Sequence, residues 1–360
     1  MQITLEGHDR PVPVEAGDTI LASLLRAGVA FPFSCQAGNC GTCKCELVSG
    51  EVLELGHSEH ALAAEERAKG IILACRTQVW DDTVVRRIDA EELVMHPSRV
   101  MRLRLLEIEE LTRDIKGLRL AIEAGGPFDF SAGQYAELEF APGLSRHYSM
   151  ASTPGEAQLA FHVRHLPGGR TSAYVATQLK PGDEVKASGP LGISYLRDAH
   201  AGPVLLAAAE SGLAPIESIL RTLLGRGYRA PVTLYFGVRS ERDLYHEALL
   251  TQLAASHANF SYHVVLSEQH GVPGRRHGLV HEAMAADLRD TDGLMAYLAG
   301  PPVMVEAASE AVRLLASDPG AALDRDTVFE MWDHDHYHNP HPPIYKEAMA
   351  LTWWATRALW

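Results

Sequence analysis

The stretch FSCQAGNCGTCKC, residues 33–45, holds four of the five cysteines of the chain. Cys35, Cys40 and Cys43 have the spacing C-x₄-C-x₂-C, and Cys75 follows in LACRT after 31 intervening residues. This is the plant-type spacing for the four thiolates of a [2Fe–2S] cluster. Zinc is the alternative metal, but its cysteine ligands usually come as two separate C-x₂₋₄-C pairs. We therefore predict that these four cysteines ligate a [2Fe–2S] cluster.

Two glycines and a further cysteine complete the loop. Gly38 and Gly41 give the backbone the freedom to curl, and they let amide N–H groups approach the sulfur atoms. Cys45 comes two residues after Cys43 on a predicted strand, where the alternation of side chains turns it into the core or away from the cluster. We expect Cys45 to be a buried structural cysteine.

Composition limits the class of protein. With 360 residues and 46% hydrophobic content, the chain is long enough for two or three domains. It has no apolar run of 18 residues and no secretion-signal pattern at its start, so we expect no membrane span and a cytoplasmic protein. Five cysteines are too few for a disulfide framework and suit thiolate ligation in a reducing compartment.

The charge is strongly negative. A net charge of −14 argues against nucleic acid as a partner, because phosphates require Lys and Arg. Residues 1–93 carry 15 acidic and 8 basic side chains, a net charge of −7. Such a domain could be steered toward a basic protein surface. Plain solubility is the alternative explanation.

Residues 1–93 have the pattern of a small α+β domain. QITLEG and PVPVEAG predict a hairpin, DTILASLLRAGV a helix, CELVSGEV a second hairpin, SEHALAAEERAKG a second helix, and IILACRTQV a buried strand. AEELVMHPSRV, with its proline and charges, predicts a linker to the next domain.

Two further domains and an extension complete the chain. Residues 98–199 contain about six short strands and one helix, TSAYVATQLK, which predicts an antiparallel β-barrel. In residues 202–332 apolar strands alternate with helices, which predicts an α/β domain with a parallel sheet. Its ligand should bind in the loops after Ala208, Phe236 and Leu298. Residues 333–360 form a C-terminal extension that we expect to be helical and Trp-rich.

The chain resembles a known family. Residues 1–90 are similar to a plant-type ferredoxin domain of the β-grasp fold. With the barrel and the α/β domain in this order, the chain resembles the reductase components of bacterial ring-hydroxylating dioxygenases and related multicomponent oxygenases, over roughly residues 1–332. The resemblance implies a [2Fe–2S] ferredoxin domain, an FAD-binding β-barrel and an NAD(P)H-binding α/β domain.

SRHYSMAS contains the R-x-Y-S flavin signature of ferredoxin reductases. By this resemblance Arg146 contacts the diphosphate, Tyr148 lies against the isoalloxazine ring, and Ser149 hydrogen-bonds near its N5 edge. LPGGRTSAYV places glycines at a helix start, where backbone N–H groups and the helix dipole can hold a diphosphate. The predicted FAD contacts are Arg146, Tyr148, Ser149, Gly169, Thr171 and Ser172.

The dinucleotide loop departs from the family pattern. VLLAAAESGLAPI matches GGTGLAPI only in part, with Ala209 and Glu210 in place of two glycines. A carboxylate at Glu210 would repel a diphosphate and fill the room that glycine leaves open. We expect either a cofactor displaced toward Ser211 and Gly212 or a modest affinity for dinucleotide.

Two more motifs belong to the nicotinamide cofactor. YFGVRSERDLY carries the G-x-R pattern that in relatives contacts the adenosine ribose, which implicates Arg239 and Ser240. YLAGPPVM resembles the C-G-P-P-x-M motif beside the nicotinamide and implicates Gly300 and Pro301. Ala299 replaces the usual cysteine, so hydride transfer could be slower without being abolished.

The choice between NADH and NADPH stays open at this point. Arg239 and Arg242 could accept a 2′-phosphate, while Glu241 between them opposes it. We favour NADH.

The end of the chain has two parts. TVFEMW fits the aromatic ending of family members, with Phe329 on a strand and Trp332, like Ser149, a suspected neighbour of the flavin. The extension begins with a His-rich run, which we interpret as a solvated loop rather than a metal site. Its Trp-rich remainder should pack back onto the reductase or a subunit interface, and docking to the oxygenase is the alternative.

The resemblance implies an NAD(P)H-dependent iron–sulfur flavoprotein oxidoreductase. Electrons would pass from NADH through FAD and the cluster to a terminal oxygenase acting on an aromatic substrate, or to a small ferredoxin that serves it. A reductase for a di-iron monooxygenase or a deoxysugar pathway is one alternative. A redox sensor with weak dinucleotide binding is another, which Glu210 and Ala299 keep open.

Overall fold

The computed structural model describes residues 1–33, 36–38, 41–59, 61–88, 94, 96–288, 293–315 and 328–332. For 313–315 and 328–332 the backbone alone is described. These residues form three successive units, each with its own sheet and hydrophobic core. None of the helices within the described ranges is long and apolar enough to cross a membrane.

The first unit is a mixed five-stranded sheet packed against a short helix. Thr19 begins the helix by accepting a hydrogen bond from the Ala22 amide (3.2 Å), and Ile20, Leu21 and Leu24 turn one apolar face into the core. Its elements are β1 (Gln2–Leu5), β2 (Val12–Pro13), α1 (Ile20–Arg26), β3 (Lys44–Ser49), β4 (Val52–Glu54), α2 (Ala64–Arg67), β5 (Ile71–Leu73), β6 (Thr77–Val79) and β7 (Thr83–Arg87).

The strands of this unit occupy two sheets. The main sheet has the order β2-β1-β7-β3-β5, and β4 pairs with β6 in a two-stranded ribbon. The predicted pairing of β3 with β4 is therefore wrong. After Gly50 the chain is turned toward the end of β6, because the Trp80 amide donates to the Glu51 carbonyl (2.8 Å).

Two more predictions for this unit need correction. The run IILACRTQV is not one strand, because a 3₁₀ turn at Ala74–Arg76 separates β5 from β6 and passes the chain from one sheet to the other. The helix predicted for SEHALAAEERAKG is shorter than expected and comprises only α2. The residues before α2 form turns that bury Ala61 and Leu62.

The second unit is the predicted antiparallel barrel. Met101, Leu103 and Leu105 alternate inward along its first strand, as a strand with one buried face requires. The order is β11-β10-β13-β8-β9-β12, and a bridge between Met150 and Phe161 joins the two edges. The elements are β8 (Arg99–Glu110), β9 (Ile115–Ala124), β10 (Tyr135–Ala141), β11 (Leu144–Ser149), β12 (Gln158–Arg164), α3 (Arg170–Thr177) and β13 (Glu184–Leu191).

The third unit is the predicted parallel sheet between helices. Every residue of its first strand is buried, because helices cover both faces. The sheet order is β17-β16-β15-β14-β18-β19; the short strand β17 and helix α6 were not predicted. The elements are β14 (Val204–Ala209), α4 (Leu213–Gly225), β15 (Val232–Val238), α5 (Glu247–Ser256), β16 (Phe260–Leu266), β17 (Arg276–His277), α6 (Val280–Asp287), β18 (Met295–Gly300), α7 (Pro302–Leu315) and β19 (Val328–Trp332).

Candidate functional site

Two of the four predicted cluster ligands lie within the described residues. Cys43 and Cys75 are both buried, and the Ala74 amide donates to the Cys43 carbonyl (3.0 Å), so the thiols come from adjacent backbones. The 3₁₀ turn that divides β5 from β6 is what carries Cys75. Cys35 and Cys40 lie outside the described residues. A pair of buried thiols on adjacent segments fits half of a Cys₄ cluster site.

The glycines of the loop meet a strict steric requirement. Gly38 and Gly41 have φ values of +76° and +73°, which L side chains rarely adopt. A β-carbon on Gly38 would lie 2.7 Å from Arg76 Cγ, and one on Gly41 would lie 2.8 Å from the Ala61 carbonyl oxygen. Glycine therefore lets the loop approach Arg76 of the second cysteine segment at Gly38 and the Ala61 backbone at Gly41.

Cys45 has the environment expected of a structural thiol. It is 0% exposed on β3, where it lies opposite Ile72. Burial, with a smaller effect from Cys75, raises the pKa of Cys45 to about 12. The predicted burial of Cys45 is therefore confirmed.

The predicted flavin signature lies on β11 at one edge of the barrel sheet. Arg146 and Tyr148 are two residues apart and therefore share a face of the strand. Tyr148 is buried, with its ring edge-on to Phe140 at 5.9 Å between centroids. Ser149 is only half-buried and ends the strand.

The predicted diphosphate loop is adjacent to that strand, because α3 packs against β11 and β12. Gly169 caps the helix, and its own amide already donates to the Leu166 carbonyl (3.0 Å). The amides of residues 170–172 follow in the first helical turn, where no intrahelical acceptor exists. They are therefore the donors that an anion at this helix end would meet. A β-carbon on Gly169 would lie 2.5 Å from Ser172 Oγ, which explains the glycine.

The third-domain loops converge at the carboxyl ends of β14 and β18. A β-carbon on Gly212 would lie 2.3 Å from the Ala299 carbonyl oxygen, so the two segments are in direct backbone contact. Gly300 follows with φ +151° and leads into Pro301 at the start of the next helix. Ser211, Gly212, Gly300 and Pro301 are thus brought together as the sequence suggested.

Glu210 is turned away from this convergence. It adopts φ +53°, and its carboxylate forms an ion pair with Arg164 of β12, in the barrel. Arg239 Nε lies 3.8 Å from the same carboxylate. The negative charge that was expected to repel a diphosphate is therefore balanced by two guanidinium groups.

Arg239 and Ser240, the predicted ribose contacts, take part in the same charged network. Arg239 Nη2 donates to Asp114 Oδ2 (3.0 Å) and to Asp243 Oδ1 (3.1 Å), while Ser240 Oγ donates to Asp243 Oδ2 (2.9 Å). Burial opposes ionisation, but the Thr112 hydroxyl and the two nearby guanidinium groups lower the pKa of Asp114. The network joins the barrel to the third domain.

One residue near the sites was missed by sequence reasoning. The Tyr135 hydroxyl accepts a hydrogen bond from Gln36 of the cysteine loop (3.3 Å), and Tyr135 is paired with Ser149 in the sheet. The Ile193 amide also donates to the Phe33 carbonyl, just before that loop (3.1 Å). The cysteine loop therefore lies against the start of β10, the strand paired with the flavin-signature strand β11, and the segment before the loop lies against the residues after β13. A tyrosine at a strand start gives no sequence signal for such a contact.

Three family models match successive parts of the chain. A 2Fe-2S iron–sulfur cluster binding domain matches residues 3–79, an oxidoreductase FAD-binding domain residues 102–195, and an oxidoreductase NAD-binding domain residues 206–310. Each matched range lies in one of the three units described above.

Relatives match nearly the whole chain. The reductase component of the naphthalene 1,2-dioxygenase system of Pseudomonas putida is 38% identical over 319 residues, which cover 89% of this chain and 96% of the relative. The reductase subunit of an aromatic O-demethylase from Amycolatopsis is 39% identical and covers 86% of this chain and 94% of that relative. The chain belongs to this family of oxygenase-system reductases.

A solved reductase structure is similar to this chain over nearly its whole length. A crystal structure of an Amycolatopsis cytochrome P450 reductase superposes with a TM-score of 0.77 at 37% identity, covering 92% of this reductase and 98% of that chain. The reductase is an iron–sulfur flavoprotein oxidoreductase with [2Fe–2S], FAD and NAD(P)H as its cofactors.

Proposed function

We propose that this reductase takes electrons from NADH and delivers them, through FAD and its [2Fe–2S] cluster, to the terminal oxygenase of an aromatic ring-hydroxylating system or to a small ferredoxin that serves it. The support for the partner class is the naphthalene dioxygenase relative named above. A terminal monooxygenase is the alternative partner, because the reductase component of a Pseudomonas phenol 2-monooxygenase is 38% identical over 337 residues. The cysteine content of this reductase favours a location in the reducing cytoplasm.

One observation carries the proposed route. The cysteine loop contacts the barrel next to the flavin-signature strand: Gln36 donates to Tyr135 of β10, the strand paired with β11, and the Phe33 carbonyl just before the loop accepts from Ile193. When bound, FAD accepts an electron pair as hydride and the cluster accepts electrons singly, which is the conversion an oxygenase needs. The contact between the two units supports a short separation between flavin and cluster, which such a transfer requires.

The residues of the chain bind and orient these groups. We assign the flavin diphosphate to Arg146 and to the first-turn amides of α3, and the flavin ring to Tyr148 and Ser149. Trp332 ends β19, the edge strand beside β18, and stays a suspected flavin neighbour.

The dinucleotide belongs at the convergence of Ser211 and Gly212 with Gly300 and Pro301. Ala299 stands where the family usually has cysteine and is 1% exposed at the end of β18, so a larger side chain there would require its neighbours to adjust. No side chain here has to act as an acid or base in hydride transfer.

The charged network favours NADH over NADPH. A 2′-phosphate would need a guanidinium group, and Arg239 is already held by two carboxylates. Asp243 and Glu241 would also repel the additional negative charge.

Two cysteine variants and a matched control test the route. Cys40→Ser and Cys75→Ser should keep NADH-dependent reduction of ferricyanide, which flavin can perform, and lose reduction of cytochrome c, which depends on the cluster. Cys45→Ala should keep both reactions, because Cys45 is a buried core thiol and not a ligand. Retention of cytochrome c reduction in both ligand variants would overturn the proposal.

A further inference from the structure

Three potential metal ligands meet between the barrel and the third domain. His162 lies on β12, Glu217 on α4, and His246 immediately before α5. One ligand atom from each lies within 4.8 Å of the others. Neither the cluster nor the flavin and dinucleotide assignments use any of the three.

His162 is held in a fixed orientation. Its Nδ1 lies 3.1 Å from the Tyr245 hydroxyl, and that hydroxyl donates to the Glu210 carbonyl (3.0 Å). Because the hydroxyl proton is used there, Nδ1 must carry the donor hydrogen and Nε2 keeps its lone pair. Metal-binding imidazoles are usually oriented in this way, through their second nitrogen.

The other two side chains approach from the third domain. Glu217 Oε2 lies 2.7 Å from His246 Nδ1. The other carboxylate oxygen, Oε1, lies 3.6 Å from Arg221 Nη1. Glu217 is 5% exposed, and the His246 ring lies edge-on to the His162 ring at 5.2 Å. His246 adopts φ +55°, an unusual conformation for a residue with a side chain. This backbone conformation places the His246 ring at the boundary between the barrel and the third domain.

The three residues border a groove of about 230 Å³ lined by both domains. Glu107, Glu109 and Glu156 line its walls, where Glu107 pairs with Arg119 (3.6 Å) and Glu156 with Arg221 (2.7 Å). The groove gives an ion a route from solvent to the buried ligands.

We propose that His162, Glu217 and His246 form a binding site for a divalent transition metal of the zinc class, shared between the barrel and the third domain. Two imidazoles and one carboxylate suit Zn²⁺, with the groove supplying a fourth, solvent position. Ligand atoms around tetrahedral zinc are about 3.4 Å apart for metal–ligand distances near 2.1 Å, so small side-chain rotations would close the site. Because its ligands come from two domains, the ion would stabilise this domain arrangement.

The test compares bound zinc in the holo-reductase and its variants. After equilibrium dialysis against Zn²⁺, His162→Asn and Glu217→Gln should each bind about one zinc per chain fewer than the wild type. Asn keeps a donor near the position of Nδ1 but lacks Nε2. His257→Gln, which removes a ring whose Nδ1 lies 3.0 Å from the Leu253 carbonyl at the end of α5, should match the wild type. Zinc held by the C-terminal histidines contributes equally to all four proteins.

Two further measurements guard against an unfolded variant. Zn²⁺ should raise the unfolding temperature of the wild type and of His257→Gln, and should not raise that of a ligand variant with normal flavin content. In wild-type crystals soaked in Zn²⁺, an anomalous peak should lie between the three side chains. Equal zinc counts in all variants, or no peak at this position, would overturn the site.

Discussion

The Glu210 carboxylate of the dinucleotide loop forms an ion pair with the Arg164 guanidinium of β12, across the boundary between two domains. Their side chains are 15% and 12% exposed, so the pair is largely out of water. Arg164 also lies 3.4 Å from Asp114. A residue that looked like a defect in a glycine motif is therefore part of the domain interface.

Glu210→Ala should lower the free energy of unfolding of the third domain by about 1–3 kcal/mol, because a mostly buried guanidinium loses one of its two carboxylates. Denaturant unfolding followed by a signal from that domain would measure this loss. Glu156→Ala is a suitable control. It removes a more exposed pair with Arg221 across the same boundary and should cost less than about 1 kcal/mol.

Glu210→Gly should be more stable than Glu210→Ala by about 1 kcal/mol. Both variants remove the carboxylate, but only alanine keeps a β-carbon at φ +53°. The same denaturant series gives the difference. If the alanine variant were the more stable of the two, the left-handed conformation of this residue would be in doubt.

Gly212→Ala should destabilise the third domain by about 1–3 kcal/mol, since its β-carbon would meet the Ala299 backbone and force the two loops apart. The same change should raise the KM for NADH. Gly225→Ala in the last turn of α4 has open space around it and should be neutral or stabilising by up to about 1 kcal/mol. Comparing the unfolding midpoints and NADH saturation of the two variants separates local crowding from loss of glycine itself.

Periodicity was enough to predict most of the second and third domains. Met101, Leu103 and Leu105 alternate cleanly, and β14 is a continuous apolar run, so strand type follows from the side chains alone. The prediction around Cys75 failed because apolar residues continue through the 3₁₀ turn and nothing local marks the break. Hydrogen bonding to two different sheets decides that turn, and this is a tertiary property.

The site residues that belong to a local sequence motif could be predicted from the sequence. The cysteine spacing, the R-x-Y-S strand and the glycines at the start of α3 all report local backbone and ligand chemistry. The partners of Glu210 and Arg239 lie in another domain, and their pairing depends on how the domains dock. The role of His162 could not be predicted for the same reason. On β12 it has the pattern of an ordinary buried strand residue, and only the docking of the third domain places Glu217 and His246 beside it.

Asp243→Asn should improve the use of NADPH relative to NADH by about tenfold in kcat/KM. The change removes a charge that repels a 2′-phosphate and loosens one of the two hydrogen bonds that hold Arg239. Steady-state rates with both dinucleotides give the ratio. Asp198→Asn, which removes an exposed carboxylate paired with Arg226, should leave the ratio unchanged. An unchanged ratio in Asp243→Asn would show that the interaction of Arg239 with Asp243 does not determine the preference for NADH over NADPH.

Tyr135→Phe should slow NADH-dependent reduction of cytochrome c by about fivefold while leaving ferricyanide reduction unchanged. The ring would still pack against Gly192, but the hydroxyl that receives the Gln36 hydrogen bond would be absent, loosening the contact between the cysteine loop and the barrel by about 1 kcal/mol.

Tyr228→Phe provides the matched control for this experiment. Its hydroxyl donates to the Gly202 carbonyl, away from the contact between the first domain and the barrel, so both acceptor reactions should keep their wild-type rates. The informative quantity is the ratio of the two acceptor rates in each variant. A ratio for Tyr135→Phe equal to that of Tyr228→Phe would show that this hydrogen bond does not hold the cysteine loop in its transfer position.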